Sequence, residues 1–115
     1  MSQVLLFIHD FEFGTRISDV LIRQDKSIEF IEDLKHWPEA VKPETDLCIV
    51  DLDDQDFGNV HTISLIRAGN PQLSIIGYLK ITVKESQEKL KAAGCNLILT
   101  RSSLTKNIPA LLKNL

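Results

Sequence analysis

Acidic residues follow two apolar runs of this chain, at positions where acids can take part in chemistry. Residues 47–50 form one run, and it ends directly in Asp51, with Asp53 and Asp54 close behind. Residues 4–8 form another, followed by His9 and Asp10. In an open parallel α/β sheet, ligands bind beyond the carboxyl ends of the strands. We therefore predict functional roles for Asp51 and Asp10, with solvated strand-end acids as the alternative.

The cysteines and histidines do not form a recognisable metal-binding pattern. Cys48 and Cys95 are far apart in sequence, and His9, His36 and His61 lack the His-x-x-x-His spacing of a helical metal site. We expect both thiols to be reduced and at least half-buried, as in cytosolic proteins. A histidine-based metal site is not expected.

Composition favours one ordinary globular domain. The chain has 115 residues, of which 43% are hydrophobic and 25% charged, and this length fits a single domain. The net charge of -3 argues against direct contact with nucleic acid, which requires a basic surface. No apolar run is long enough to cross a bilayer, and the first residues lack the features of a signal peptide. We therefore expect a cytoplasmic protein with no membrane partner.

Five apolar runs alternate with five helical patterns along the chain. Runs that are continuously apolar are typical of strands buried on both faces of a parallel sheet. The predicted strands are residues 4–8, 27–31, 47–52, 73–78 and 97–99, of which the second alternates like an edge strand. Helices are predicted after each strand, the last four over residues 34–41, 59–68, 82–93 and from Ser102 or Ser103 onwards. This alternation predicts an α/β fold with helices on both faces of a parallel sheet.

Capping residues predict where several helices begin and end. Asp33 is a candidate N-cap of the second helix, although Pro38 then has to lie in its first turns. Gly69 is the predicted C-cap of the third helix. The segment from Thr82 to Glu85 forms a capping box for the fourth helix, which is expected to end at Gly94. In the last helix Leu104, Ile108, Leu111 and Leu115 share one face, and Pro109 is expected to break or kink it.

Five βα units of this size, with acids after strands one and three, resemble the receiver domain of two-component response regulators, the CheY-like superfamily. The resemblance covers the whole chain and depends on spacing and architecture rather than on a single motif. It implies one receiver-like domain over residues 1–115. It also implies a flavodoxin-like three-layer α/β/α sandwich whose five-stranded parallel sheet has the order 2-1-3-4-5. A receiver of this kind is expected to be a signalling module and not an enzyme.

The resemblance assigns roles to the acids. Asp51 falls on the phosphoacceptor position, and Asp10 on the second position of the acid pair after strand one. His9 stands at the first position, where the family has an acid. Asp53 falls where a backbone carbonyl meets the metal. The resemblance thus implies a Mg²⁺ site at Asp10, Asp51 and the Asp53 carbonyl, weakened because imidazole is a poor magnesium ligand.

Other family positions are also replaced. Leu79 stands in place of the strand-four Ser or Thr, and it cannot donate a hydrogen bond to a phosphoryl oxygen. Arg101 replaces the lysine after strand five, and Leu99 stands at the aromatic switch position. We expect Arg101 to pair bidentately with Asp51 in the absence of phosphate. Lys80 is a candidate second cation for the pocket.

The resulting hypothesis is a stand-alone, receiver-like signal-transduction module that acts through protein–protein interaction, with weak or no switching by phosphorylation. One alternative is a phosphorylation-competent response regulator that accepts phosphate on Asp51. Another is a small α/β ligand-binding domain or enzyme that uses the Asp10/Asp51 pocket. The segment directly after strand one, residues 10–14, contains a single glycine, Gly14, so the glycine-rich loop of a nucleotide-binding enzyme is missing.

The resemblance also indicates partners. A histidine kinase or an effector protein is the expected partner. A homodimer through the face of helix four, strand five and helix five is also possible in this family. Helix four carries the mixed charges Lys84, Glu85, Glu88, Lys89 and Lys91. A solvated helix with ion pairs worth a few tenths of a kcal/mol each is the alternative explanation of that face.

Overall fold

A single parallel sheet forms the centre of the molecule in the computed structural model, which describes residues 2–35, 37–80 and 84–113. The strands are β1 Gln3–Phe7, β2 Ser27–Phe30, β3 Thr45–Asp51, β4 Ser74–Leu79 and β5 Leu97–Thr100. The helices are α1 Phe11–Arg23, α2 Trp37–Ala40, α3 Val60–Gly69, α4 Lys84–Ala93 and α5 Arg101–Lys113. The strand order is β2-β1-β3-β4-β5, and all neighbouring pairs are parallel. The predicted fold class and strand order are confirmed.

The continuous apolar runs form strands because helices cover both faces of the sheet. Every residue of β1 is buried, and its side chains alternate between the two faces. Val4 and Leu6 pack towards α1 and α5, whereas Leu5 and Phe7 pack towards α2, α3 and α4. β2 is an edge strand and is only partly buried. The sheet therefore separates two hydrophobic cores.

The helices form the two outer layers. The core on one face contains Ile17 and Leu21 of α1 together with Leu104 of α5. The core on the other face contains Trp37 of α2 and Ile63 of α3, among others. Among residues 2–35, 37–80 and 84–113, no helix has both the length and the apolar character that a membrane span requires.

The second helix is shorter than its predicted range. It consists of only Trp37–Ala40, with Pro38 at its second position. The Asp33 carboxylate accepts a hydrogen bond from the Lys35 backbone N–H at 2.8 Å and thus closes a turn before the helix. Asp33 stands four residues before the first residue of α2, Trp37, so it does not hold the N-cap position that was predicted for a helix over residues 34–41. His36 lies outside the described residues.

The last helix begins earlier than predicted and passes through its proline. It starts at Arg101, and the Thr100 hydroxyl accepts from the Ser103 N–H at 3.2 Å, as an N-cap does. It continues beyond Pro109 to Lys113, so the predicted break is wrong. Leu104 and Ile108 are fully or nearly fully buried, and this packing outweighs the one backbone hydrogen bond that proline removes.

The remaining helix ends agree only partly with their predicted caps. α3 has Asn59 as N-cap, and Asn70 is its C-cap, so Gly69 lies inside the helix. α4 ends at Ala93, and Gly94 follows with a φ of 133°, which favours glycine. Thr82 of the predicted capping box and Leu115 of the predicted apolar face lie outside the described residues.

Candidate functional site

The carboxyl edge of the sheet brings Asp10, Asp51 and Arg101 together. Asp51 is the last residue of β3, and Asp10 is the N-cap of α1. Arg101 is the first residue of α5. Its Nη2 atom lies 3.1 Å from Asp10 Oδ2 and 3.9 Å from Asp51 Oδ2. We call these three residues the Arg101 cluster.

Asp10 has a structural role that the sequence analysis did not include. Its Oδ1 atom accepts a hydrogen bond from the Phe13 backbone N–H at 3.1 Å and so caps α1. This hydrogen bond is the main cause that holds the pKa of Asp10 below its ordinary value, and Arg101 lowers the pKa further. An Asp directly before a helical pattern is the sequence signal that could have identified this cap.

Asp51 lies in a different environment. It is only 5% exposed, and burial raises the pKa of its carboxyl group. The Asp53 backbone N–H, which donates to Asp51 Oδ1 at 2.9 Å, and the positive charge of Arg101 both oppose this increase. The two acids of the Arg101 cluster therefore have pKa values displaced in opposite directions.

Aromatic rings hold the Arg101 guanidinium in place. Its central carbon lies 4.8 Å from the centroid of the Phe13 ring and 5.6 Å from that of Tyr78. The bidentate pairing predicted for Arg101 and Asp51 is not what the structure contains. A single nitrogen bridges both acids, and Asp10 is the nearer one, because α1 and α5 start side by side on the same face of the sheet.

Tyr78 was not predicted as part of this site. It is fully buried and stands beside Asp51 in the register of β3 and β4. Its hydroxyl has no hydrogen bond of good geometry to the described residues. Burial raises the pKa of the phenol, and the nearby negative charge of Asp51 raises it further. No sequence pattern connects Tyr78 to Asp51, because the contact depends on the register of two strands.

The replaced family positions at Leu79 and Leu99 carry aliphatic side chains, which cannot form hydrogen bonds with the Arg101 cluster. Leu79 ends β4, and its buried side chain packs into the core on the α2–α4 side. Leu99 is half-buried on the opposite face. The Lys80 backbone N–H donates to Asp53 Oδ2 at 2.8 Å, which joins the loop after β3 to the end of β4. The charge of Lys80 also lowers the pKa of Asp10 slightly.

His9 takes part in a second cluster, in which its hydrogen-bond partners are Asp54 and Glu32. Its Nδ1 lies 2.6 Å from Asp54 Oδ2, and its Nε2 lies 2.9 Å from the carbonyl oxygen of Glu32. Both partners accept hydrogen bonds, so this arrangement favours the doubly protonated imidazolium. The Glu32 carbonyl, followed by Asp54, raises the pKa of His9. The imidazole also stacks on Phe57, with ring centroids 4.4 Å apart. We call His9, Asp54 and Glu32 the His9 cluster.

The carboxylates of the Arg101 cluster do not fit a magnesium ion as they are arranged. Mg²⁺ requires oxygen ligands in near-octahedral geometry. One oxygen of Asp10 accepts from Phe13, and the other faces Arg101. The oxygens of Asp51 are directed to the Asp53 N–H and to Arg101. Elsewhere, His9, Asp54 and Asp56 place one possible ligand atom each within 4.8 Å of one another, but His9 and Asp54 are already paired.

The fold is similar to that of solved response regulators. No protein-family profile and no curated protein matches this sequence. The receiver domain of non-phosphorylated HemR from Leptospira biflexa has a TM-score of 0.81 at 15% identity, over 99% of this chain and 93% of that chain. An orphan response regulator of H. pylori has a TM-score of 0.76 at 16% identity, over 95% and 94%.

A third similar structure carries a modified site. It is a response regulator protein from Burkholderia pseudomallei with a phosphorylated aspartic acid, a calcium ion and citrate. The TM-score is 0.79 at 13% identity, over 96% of this chain and 65% of that chain. Identities this low establish a shared fold only. The chain therefore has the fold of response-regulator receiver domains, as the resemblance predicted.

Proposed function

We propose that this chain is a receiver-like signal-transduction module that acts through contact with another protein and is switched weakly or not at all by phosphate. The observation that carries this proposal is the Arg101 guanidinium, which lies between Asp10 and Asp51. The receiver fold supports the signalling class, and the Arg101 cluster supports the loss of phosphate switching.

Phosphoryl transfer to a carboxylate depends on positioning and on neutralisation of negative charge. Arg101 supplies a positive charge permanently, because guanidinium does not lose its proton in proteins. The Nη2 atom of this guanidinium lies 3.9 Å from Asp51 Oδ2, on the side of the pocket from which a phosphoryl group would have to reach that oxygen. His9 adds no metal ligand to this pocket, because it is paired with Asp54. Asp51 therefore already faces a permanent positive charge in the resting protein, which it shares with Asp10.

The parts that would report a phosphoryl group are also missing. In receivers, as the resemblance implies, a hydroxyl at the end of strand four bonds the phosphoryl oxygen, and an aromatic side chain on strand five changes position. Leu79 and Leu99 stand at these two positions and cannot take these roles. Even if Asp51 were phosphorylated, the protein would therefore lack the two side chains that transmit the change to its surface.

The remaining expectations belong to the same proposal. Residues 1–115 form one receiver-like domain, located in the cytoplasm and without enzymatic activity. Magnesium binding at Asp10, Asp51 and the Asp53 carbonyl is weak. The partner is a protein, either a histidine kinase or an effector, and a homodimer through α4, β5 and α5 is a further possibility.

Labelling of Asp51 with a small-molecule phosphodonor and Mg²⁺ tests the proposal directly. The intact mass of the wild-type protein is expected to stay unchanged, because Arg101 occupies the pocket. The variant His9→Asp/Leu79→Thr/Arg101→Lys restores the family residues and is expected to gain one phosphoryl group. Adding Asp51→Asn to that variant controls for the site. Stoichiometric labelling of the wild type at Asp51 would overturn the proposal in favour of the phosphorylation-competent regulator.

The alternative of an enzyme or small-ligand domain meets a geometric difficulty. The cavity at the Arg101 cluster measures about 170 Å³ and is lined by Asp10, Glu12, Phe13, Arg16 and Arg101. Small-molecule sites usually measure about 300–1,000 Å³. A cavity of this size does not favour a substrate site at Asp10 and Asp51.

A further inference from the structure

A groove of about 430 Å³ runs along the edge of the sheet, between β2 and α2. Its lining includes four acidic and two aromatic residues: Glu29, Glu32, Asp33, Glu39, Phe30 and Trp37. Glu29 is half-buried, and the other three acids are exposed. None of the described residues that line this groove carries a positive charge. We call it the β2 groove, and its described walls contain acidic side chains but no lysine or arginine.

The strand that borders this groove has one free edge. The Ser27 N–H donates to Ser2 and the Ile31 N–H donates to Leu6, so alternate residues of β2 face β1. The backbone N–H and C=O groups of Ile28 and Phe30 point away from β1, because successive residues of a strand direct these groups to opposite sides. An unpaired edge of this kind can accept an extended peptide as an additional strand.

An apolar cleft adjoins the β2 groove. It measures about 320 Å³ and is lined by Ile8, His9, Phe11, Phe30, Ile31 and Glu32. Phe11 is 83% exposed and Phe30 is 39% exposed, which is unusual for phenylalanine side chains that lie together. We call it the Phe11 cleft. Phe30, Ile31 and Glu32 line both cavities, so the groove and the cleft form one continuous surface.

We propose that the β2 groove and the Phe11 cleft together form the docking surface for an extended, basic segment of a partner protein. Lysine or arginine side chains of that segment face Glu29, Glu32 and Glu39, and an apolar side chain enters the Phe11 cleft. Exposed aromatic anchors beside a complementary charged rim are typical of protein interfaces. The inference rests on the proposed role as a protein-binding module and names the surface and the partner chemistry.

Charge argues against a second copy of this chain in the same place. Pairing of two β2 edges in a symmetric dimer would bring Glu29 and Glu32 of one copy close to the same acids of the other. Like charges opposite one another destabilise strand pairing. The occupant with complementary charge is therefore a basic segment, not another β2 edge.

Trp37 provides a probe of binding, because it is the only tryptophan of the chain and it lines the groove. The titrant is a short synthetic peptide in which lysine alternates with leucine, and its control carries glutamate in place of lysine. We expect the lysine peptide to change the fluorescence of Trp37 in a saturable way, and the glutamate peptide to have no effect. The affinity for the lysine peptide should fall as salt concentration rises.

Two matched pairs of variants locate the interaction. Glu29→Lys/Glu32→Lys should weaken binding of the lysine peptide by about tenfold or more. Asp19→Lys/Glu44→Lys makes the same change of charge at exposed positions of α1 and of the loop before β3, and should weaken binding less than threefold, about 0.7 kcal/mol. Phe11→Ser should also weaken binding, whereas Ile22→Ser removes an apolar side chain that is 54% exposed elsewhere and should not. Circular dichroism confirms that each variant is folded.

Equal loss of affinity in the groove variants and their controls would overturn the docking surface, as would saturable binding of the glutamate peptide. Self-association of the chain that Glu29→Lys/Glu32→Lys abolishes would also overturn it, because the occupant would then be a second copy. These results are independent of the phosphodonor experiment. Phosphorylation of Asp51 would overturn the proposed switching behaviour while leaving peptide binding intact, so the two failures can be distinguished.

Discussion

Two neighbouring residues at the end of β1 belong to two very different ion pairs. Asp10 turns to one face of the sheet, where it meets the Arg101 guanidinium beneath the α1 and α5 layer. His9 turns towards the other side, where it meets Asp54 and stacks on Phe57. The His9 side chain is 41% exposed, whereas that of Arg101 is 26% exposed and is covered by aromatic rings.

The two clusters respond differently to pH. The Arg101 cluster contains a cation that keeps its charge at all accessible pH values, so its state is set by the fold. The His9 cluster contains a cation that exists only below the raised pKa of His9, so its state depends on pH. The charge beside Asp51 is thus constant, whereas the charge of the His9 cluster varies with pH.

Removal of the Arg101 cation should have the largest effect. Arg101→Met keeps the contact with Phe13 but leaves Asp10 and the buried Asp51 without their shared cation. We expect the free energy of unfolding to fall by about 2–3 kcal/mol, somewhat less than for a fully buried pair. Urea denaturation measures the change. Lys106→Met on the exposed side of the same helix is the control, and an equal loss in both variants would show that the cluster contributes nothing specific.

Asp10 should rank second, because it combines a cap with an ion pair. Asp10→Ala removes both, and we expect a loss of about 1–2 kcal/mol. Asp10→Asn keeps the cap and should lose less. Since the folded pKa of Asp10 is lowered, its stabilisation is present above the unfolded pKa and disappears as pH falls through the folded value. Identical losses for the Ala and Asn variants in urea would exclude the capping contribution.

The His9 cluster should give a smaller and pH-dependent effect. The folded pKa of His9 is raised, so its ion pair stabilises fully below the unfolded pKa of about 6.5 and is lost as pH rises through the folded value. We expect wild type and His9→Ala to differ by up to about 1 kcal/mol more at pH 5.5 than at pH 8.5. His61→Ala, at an exposed position of α3, serves as the control. A difference that does not depend on pH would leave only the packing on Phe57.

Tyr78→Phe should have the smallest effect and sharpens the description of the Arg101 cluster. The Tyr78 hydroxyl is buried without a well-formed hydrogen bond, so its removal is expected to change stability by less than about 1 kcal/mol, in either direction. Thermal denaturation measures this change. A loss above about 2 kcal/mol would indicate a strong hydrogen bond between the phenol and Asp51 in solution.

The fold was largely predictable because the hydrophobic pattern repeats five times without interruption. The strand runs could be recognised from their continuous apolar character, and four of the five helices lie near their predicted positions. The predicted helix over residues 34–41 was too long, because Asp33 closes a turn and leaves only one helical turn after it. The predicted break at Pro109 was wrong, because propensity alone does not include the burial of Leu104 and Ile108.

Local patterns in the sequence were sufficient to predict the α/β architecture and the positions of Asp10, Asp51 and Arg101 at strand ends, because strand periodicity and chain order depend on local information. Which side chains contact one another depends on how the strands and helices pack. The start of α5 beside the start of α1 brought Arg101 to Asp10, strand register brought Tyr78 to Asp51, and the segment after β1 placed His9 against Asp54. Such contacts join residues far apart in the chain, so no local pattern encodes them.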